Sequence, residues 1–343
     1  SADFITTTIS LKSHAVALAA KWIPELVKTG VVPKHIVQGA KFRKLCARLI
    51  ELYVPREAGA GPLTKAQREC SEIIGAARWL LRTFVRGVRE CHALSRVAHN
   101  PPMPDTMTAC LGFVAMAYMH SNEGITYGGE FGSSAYTGAI HGTITARGGV
   151  AAAAVGDGKR LEGSAPEELD GCSDATFNKG DEGCDDVYAL AVTNRGGAVA
   201  ADPRRSGAPR PSSTDSEGVG TLHRSDRVDY GRIIKNAMGY PCKEATLLLS
   251  DNTSNLRVAA GASSAVKLRH SIRRWNIVTQ RVEERHQRLG HIGDADCFVD
   301  FLTKFTTTAK EEASIAYLTN SRSRAAHPPA APVMQSGAPK TQL

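Results

Sequence analysis

The feature that most constrains the fold is a short apolar run, Thr246 to Leu249, that ends abruptly in Ser250-Asp251-Asn252. A run of this length without polar alternation is typical of a strand that is buried on both faces of a sheet. An acidic residue directly after such a strand lies at the carboxyl edge of the sheet, where open α/β sheets bind their ligands. Asp251 is therefore the first candidate for a functional residue.

The elements around this run predict an α/β fold. Strands are expected to end near Asp174, to cover Asp185–Thr193 and to begin again at Ala198, and a capped helix is expected from Ser213 to Met238. Strands followed by helices in this order indicate one mixed sheet with helices packed on it. The predicted divisions of the chain are a mainly helical region at 1–128, a Gly/Ala-rich linker at 129–168, the α/β domain at 169–310 and a disordered tail at 311–343.

Composition limits the classes of protein to consider. The formal net charge of +8 favours a polyanionic partner such as nucleic acid, although a solvated basic surface explains it equally well. No apolar stretch is long enough to cross a membrane, and Ser1-Ala2-Asp3-Phe4 does not begin a signal peptide, so we expect an intracellular protein of the cytoplasm or nucleus. The eight cysteines form no CxxC pair, which argues against a zinc site and favours reduced thiols.

Four acidic residues, which we call the carboxylate cluster, are candidates for a shared metal site: Asp174, Glu217, Asp251 and Asp300. Asp174 and Asp251 lie at predicted strand ends, and Glu217 lies in the first turn of a predicted helix, where the helix dipole favours its charge. Phosphodiester hydrolysis with two Mg²⁺ ions requires such an oxygen-only ligand set. The alternative is a chance selection, because many other acids occur in the same region.

Several motifs resemble the C-terminal part of the copia-type LTR-retrotransposon Pol polyprotein, from the reverse-transcriptase connection through the RNase H domain. Leu94-Ser95-Arg96 resembles the "LSR" segment of the connection, and Ser173-Asp174-Ala175 resembles the "SDA" strand. Ser212 to Glu217 resembles "SSTEAE", Ser250-Asp251-Asn252 resembles "sDN", and Val299 to Lys304 resembles "ADilTK". The motifs occur in the family's order and at similar separations.

The resemblance implies an RNase H-like fold behind a helical connection domain, and Mg²⁺-dependent cleavage of RNA in RNA–DNA hybrids. It implies that the carboxylate cluster binds two Mg²⁺ ions, for which Mn²⁺ can substitute, and that the remainder of a Pol polyprotein is a partner. No YxDD-type motif occurs, so a polymerase active site is not expected. Three prolines lie in the segment Ala201 to Pro211, where the family's third strand continues, and proline cannot donate ladder hydrogen bonds in a central strand. A catalytically inactive remnant that binds nucleic acid, or has only a structural role, is therefore the alternative function.

A basic segment resembles the family's "rtKHIdiR" and is the predicted contact for the hybrid's phosphates: Lys267, Arg269, His270, Arg273 and Arg274. A solvated helix face is the alternative for this segment, and a structural role is the alternative for His270. We also consider His291, nine residues before Asp300, as a mobile base for product release.

Overall fold

A computed structural model describes the backbone of the chain over twelve ranges: residues 7–54, 56–57, 59–99, 104–128, 140–144, 150–151, 169–177, 187–194, 196–206, 210, 212–261 and 271–321. The first part of the chain is helical, as predicted. Its helices are Lys12–Trp22 (α1), Pro24–Thr29 (α2), Gly39–Glu51 (α3), Lys65–Leu80 (α4), Val88–Val97 (α5) and Pro104–Met119 (α6).

The boundaries of these helices follow local chemistry. Pro24 begins α2 at a position where its missing N–H is not needed. Thr64 caps α4 with a capping box, in which its hydroxyl accepts from the Gln67 N–H and the Gln67 side chain accepts from the Thr64 N–H. The apolar faces of the helices share one core that includes Phe42, Ile73 and Phe113. Within the described residues, no helix has the length and apolar character needed to span a membrane.

Two sheets are present among the described residues. Thr7–Ile9 (β1) and Ile125–Tyr127 (β2) form an antiparallel pair beside the helices. The remaining strands form one sheet with the spatial order β4-β3-β9-β8-β5-β6-β7. They are Ile140–Ile144 (β3), Val150–Ala151 (β4), Leu169–Ala175 (β5), Val187–Asn194 (β6), Gly197–Arg205 (β7), Thr246–Ser250 (β8) and Gln287–Ile292 (β9).

The large sheet is mixed, which confirms the α/β class. β8 runs parallel to both β5 and β9, and the other neighbouring pairs are antiparallel. The apolar run that predicted a strand buried on both faces is β8. Leu247 and Leu249 pack in the core on one face of the sheet, and Leu248 packs in the core on the other.

Helices cover both faces of this sheet. Ser213–Ala237 (α7), Thr253–Ala259 (α8) and Ile272–Glu283 (α9) contribute Val228, Leu256 and Trp275 to the core on the Leu248 face. Asp300–Thr303 (α10) and Thr308–Thr319 (α11) contribute Phe301 and Leu318 to the opposite core, which also includes Val88 from α5. The helical region therefore packs on one face of the α/β region.

Two predictions about the organisation of the chain need correction, and one strand was not predicted. The predicted linker at 129–168 contains β3 and β4, and β3 pairs with β9 and so extends the sheet. The predicted tail at 311–343 begins inside α11, whose buried Ile315 and Leu318 complete a core. The strand β9 was not predicted, because Gln287–Ile292 has few β-branched residues and contains a glycine.

The prolines after Ala201 do not abolish the third strand. Pro203 lies within β7 and is paired with Ala189 of β6, and β7 is the outer strand of the described sheet. An outer strand tolerates proline because one of its edges has no ladder partner. The strand predicted to begin at Ala198 is confirmed as β7, and the objection to prolines applied to a central strand.

Candidate metal centre

Strand register brings Asp174 and Asp251 to the same edge of the sheet. Cys172 of β5 is paired with Leu249 of the parallel strand β8, so the residues two positions further along each strand are level with one another. Asp174 is buried at the end of β5, and Asp251 directly follows β8. This is the carboxyl edge at which the sequence predicts a ligand site.

The turn after β8 is fixed by its own polar side chains. The Ser250 hydroxyl accepts from the Asn252 N–H at 3.2 Å, and the Asn252 side chain caps α8 by accepting from the Asn255 N–H at 2.9 Å. His291 Nε2 lies 3.0 Å from the Asp251 carbonyl oxygen, to which it donates. His291 therefore holds the backbone of Asp251 from the neighbouring strand, and a role as a mobile base stays a prediction.

Glu217 reaches the cluster from α7. Ser212 caps this helix by accepting from the Asp215 N–H, and Glu217 follows in the first turns. One carboxylate oxygen of Glu217 accepts from the backbone N–H of Ala175 at 3.2 Å, directly beside Asp174. Carboxylate oxygens of Asp174, Glu217 and Asp251 all lie within 4.8 Å of one another.

Asp300 enters from the opposite side, as the first residue of the short helix α10. It is fully buried, and one of its oxygens lies within 4.8 Å of both an Asp251 oxygen and Cys297 Sγ. Thr303 of the same helix donates a 2.5 Å hydrogen bond to Asp174, which ties α10 to β5. The structure thus brings together all four residues of the predicted carboxylate cluster.

Mutual repulsion and burial shape the electrostatics of the cluster. Burial, reinforced by the neighbouring Asp300 charge, raises the pKa of Asp174 to about 7. Burial, together with the charges of Asp174 and Asp251, raises the pKa of Glu217 to about 9. Burial and the Asp300 charge also raise the pKa of Asp251. Each shift has the direction expected for carboxylates forced together without enough positive charge.

The donor set fits a hard divalent cation. It offers carboxylate oxygens, which Mg²⁺ and Mn²⁺ prefer. Glu217 Oε2 and Asp300 Oδ1 are buried, and within the described part of the chain neither has a hydrogen-bond partner. Such orphaned oxygens are costly unless a ligand compensates them. The Cys297 thiol, whose pKa is raised well above its usual value by its hydrogen bond to Cys172 and by burial, is not a ligand for Mg²⁺.

Two lysines near the cluster received no role from the sequence. Lys304 Nζ lies 3.1 Å from Asp300 Oδ2, and Lys310 of α11 binds the same oxygen. Lys304 follows Asp300 by four residues, a spacing at which residues of a helix are neighbours and which could have indicated the pair. No local signal indicates Lys310, because its contact depends on how α11 packs.

The predicted nucleic-acid contacts are only partly within the described residues. Lys267, Arg269 and His270 lie outside them. Arg273 is exposed on α9. Arg274 instead donates to the buried Asp215 at 2.9 Å, which joins α9 to the start of α7. The Arg274 guanidinium therefore makes a structural contact with Asp215 and is not the free cation that phosphate binding requires.

A large cavity of the described structure is separate from the carboxylate cluster. It has a volume of about 950 Å³ and lies between the helical region and the other end of the sheet, where Leu169 begins β5 and Asn194 ends β6. None of the four carboxylates lines it. Ligand sites in general favour cavities, but convergent carboxylates are a more specific indicator of chemistry, so we take the cluster as the functional site.

Comparisons with protein-family models, with curated proteins and with solved structures gave no match for this chain. The functional argument therefore depends on the geometry of the cluster and on the motifs of the sequence.

Proposed function

We propose that this protein is a divalent-metal-dependent nuclease of the RNase H type, related to copia-type Pol polyproteins. It would hydrolyse the RNA strand of RNA–DNA hybrids. The observation that carries the proposal is the convergence of four carboxylates from β5, α7, the end of β8 and α10 at one edge of a mixed sheet. Two buried oxygens of the cluster, Glu217 Oε2 and Asp300 Oδ1, have no hydrogen-bond partner among the described residues and are available to a ligand.

The proposed roles of the residues follow from their positions. The carboxylate cluster would hold Mg²⁺ or Mn²⁺ at the carboxyl edge of the sheet. The chemistry that such a divalent cation would supply there is activation of a nucleophile at neutral pH and stabilisation of charge on a phosphodiester. Thr303 orients Asp174 through its hydrogen bond, and the Ala175 N–H orients Glu217. The 2′-hydroxyl would distinguish the RNA strand from DNA.

Cleavage of an end-labelled RNA–DNA hybrid in Mg²⁺ tests the proposal. We expect Asp251→Asn to lower the cleavage rate by more than about 100-fold, since loss of a direct ligand exceeds the effect of losing an outer-shell partner. Asp226→Asn is the matched control, because Asp226 is an exposed aspartate on α7 whose 2.8 Å partner is Arg281. Equal rates for the wild type and Asp251→Asn would refute the proposal.

A non-catalytic, nucleic-acid-binding protein is the second candidate. The observation that favours it is the pair of lysines on Asp300, since ammonium groups compete with a metal for that oxygen. This candidate predicts that the wild type binds the hybrid, as measured by fluorescence anisotropy, and that no Mg²⁺-dependent cleavage accompanies binding. The same hybrid and the same two variants therefore separate the candidates.

A further inference from the structure

The two sides of the carboxylate cluster differ in the positive charge that they already hold. Asp300 Oδ2 contacts both Lys304 Nζ and Lys310 Nζ, and Lys310 Nζ also donates to the Asp294 carbonyl oxygen at 2.5 Å. Within the described residues, no lysine or arginine forms a salt bridge with the other three carboxylates. Within the described residues, Asp300 is therefore the member of the cluster that forms salt bridges with lysines, and Lys304 is shared with Asp294 at 3.6 Å. The charge of Lys304 also acts on Asp174 and Asp251.

The charge balance of the cluster leaves room for one divalent ion. In the cation-bound state the four carboxylates are ionised and carry four negative charges, and Asp294, which shares Lys304, carries a fifth. Lys304, Lys310 and the buried Arg224, whose charge acts on Glu217, offset three of these. The remaining two negative charges equal the charge of a single Mg²⁺ or Mn²⁺. A second divalent ion would make a buried site positive beside two lysines, which is unfavourable in a poorly solvated environment.

The geometry indicates where that single ion binds. Oxygens of Asp174, Glu217 and Asp251 lie within 4.8 Å of one another, a separation that one ion can bridge. Glu217 is only 5% exposed; one of its oxygens is held by the Ala175 N–H, and the other is buried with no hydrogen-bond partner among the described residues. On the other side, the group formed by Asp251 and Asp300 includes the Cys297 thiol, which is a poor ligand for a hard cation.

We propose that the substrate-free protein binds one divalent cation, at Asp174, Glu217 and Asp251, and that Lys304 and Lys310 act as resident cations at Asp300 in place of a second ion. This inference rests on the proposed metal-dependent function and departs from the two-ion arrangement that the resemblance implies. It makes Lys310, on a helix outside the predicted nuclease motifs, a positioning residue for the metal site.

Titration of the full-length protein with Mn²⁺ tests the stoichiometry. Free Mn²⁺ is counted by electron paramagnetic resonance, and heat is measured by calorimetry. We expect one Mn²⁺ per wild-type chain and two per chain in the Lys304→Met/Lys310→Met variant. The matched control, Lys304→Arg/Lys310→Arg, retains both charges and should bind one ion. A wild type that binds two ions, or a folded methionine variant that still binds one, would overturn the inference.

Single carboxylate variants locate the ion. Asp174→Asn should weaken Mn²⁺ binding by at least tenfold, whereas Asp300→Asn should leave the first ion bound within about threefold of the wild-type affinity. Equal losses in the two variants would contradict the assignment. If the double methionine variant does not fold, as judged by circular dichroism, Lys304→Gln/Lys310→Gln, which also removes both charges, is titrated with the same expectation of a second ion. A folded wild type that binds no Mn²⁺ would instead refute the proposed metal-dependent function, which distinguishes that failure from failure of the stoichiometry.

Discussion

Two buried charged clusters among the described residues have opposite electrostatics. In the first, which we call the arginine cluster, the buried Arg86 binds Glu123 at 2.9 Å through three hydrogen bonds and Glu312 at 2.5 Å through two. In the carboxylate cluster, four acids face one another, and within the described residues only Asp300 forms salt bridges with lysines. The pairing with His120 and Arg86 lowers the pKa of Glu123 to about 2 despite burial, whereas the pKa of Glu217 is raised to about 9.

The difference separates a structural use of charge from a functional one. The arginine cluster joins the loop after α6, which contains Glu123, to α11 across the junction between the helical and α/β regions, and its guanidinium has carboxylate partners on both sides. Such a site needs no ligand. The carboxylate cluster leaves buried oxygens without partners and repels itself, so it lowers the stability of the protein until a cation binds.

Removal of Arg86 should have the largest effect on stability. Arg86→Met leaves Glu123 and Glu312 without their common partner, and we expect a loss of about 3 kcal/mol in the free energy of unfolding, the lower end of the range for a broken buried pair because Glu312 is half exposed. Urea denaturation followed by circular dichroism measures the loss. The control is Lys21→Met, which removes the exposed Lys21–Glu72 pair and should cost less than about 1 kcal/mol. Equal losses would mean that the arginine cluster is not a structural junction.

The carboxylate cluster should respond in the opposite direction. Glu217→Gln removes a group whose ionisation is opposed by burial and by the neighbouring carboxylates, so we expect the metal-free protein to gain stability at pH 8.5 by on the order of 2 kcal/mol. The folded-state pKa of Glu217, about 9, lies above its ordinary value of 4.5. The native state therefore holds the proton more tightly, and this group lowers stability progressively as the pH rises from about 4.5 to 9. Urea denaturation without divalent ions at pH 5 and pH 8.5 measures the difference.

Glu123→Gln is the matched control, because its pKa shift has the opposite sign. The folded-state pKa of Glu123, about 2, lies below the ordinary value of 4.5, so its stabilising contribution is present above about pH 4.5 and is lost as the pH falls towards 2. Glu123→Gln should therefore destabilise the protein at neutral pH, where Glu217→Gln stabilises it. The contrast between the clusters fails if both variants shift stability in the same direction.

Local sequence chemistry was sufficient to predict β8 and the helix α7 and to make the four carboxylates candidates, whereas the resemblance selected them from the other acids of the region. The apolar run before Asp251, the capping serine before Glu217 and the motif around Asp300 are short-range signals. Their convergence could be expected only from the resemblance, since the register that brings Asp174 level with Asp251 depends on pairing between distant strands. The RNase H activity and the identity of the metal stay predictions.

Contacts between distant elements could not be predicted in the same way. Lys310 reaches Asp300 because α11 folds back over the sheet, and Arg43 of α3 binds Glu311 of the same helix at 2.6 Å. A signal for α11 was present, since Thr307 caps it and Ile315 and Leu318 lie on one face, but proximity to the Ala/Pro-rich terminus favoured a tail. The strand β3 lies in a Gly/Ala-rich segment whose propensity for a strand is weak, so only its pairing with β9 defines it.

The smallest expected effects concern the two glycines that follow Glu217 in α7. A Cβ at Gly218 would lie 2.3 Å from the indole ring of the buried Trp275, whereas a Cβ at Gly220 would make only ordinary contacts, the nearest at 3.5 Å. Trp275 is itself fixed by a 3.0 Å hydrogen bond to Asn255, so it cannot move freely.

Gly218→Ala should therefore cost about 1–2 kcal/mol through overpacking. Gly220→Ala should instead stabilise the helix by about 0.5–1 kcal/mol, because alanine has the higher helix propensity. Thermal denaturation of the two variants measures both signs. A loss at Gly218 together with a gain at Gly220 would indicate that Gly218 is matched to Trp275 and fixes the entry of α7 into the carboxylate cluster, and equal gains would remove that constraint on the position of Glu217.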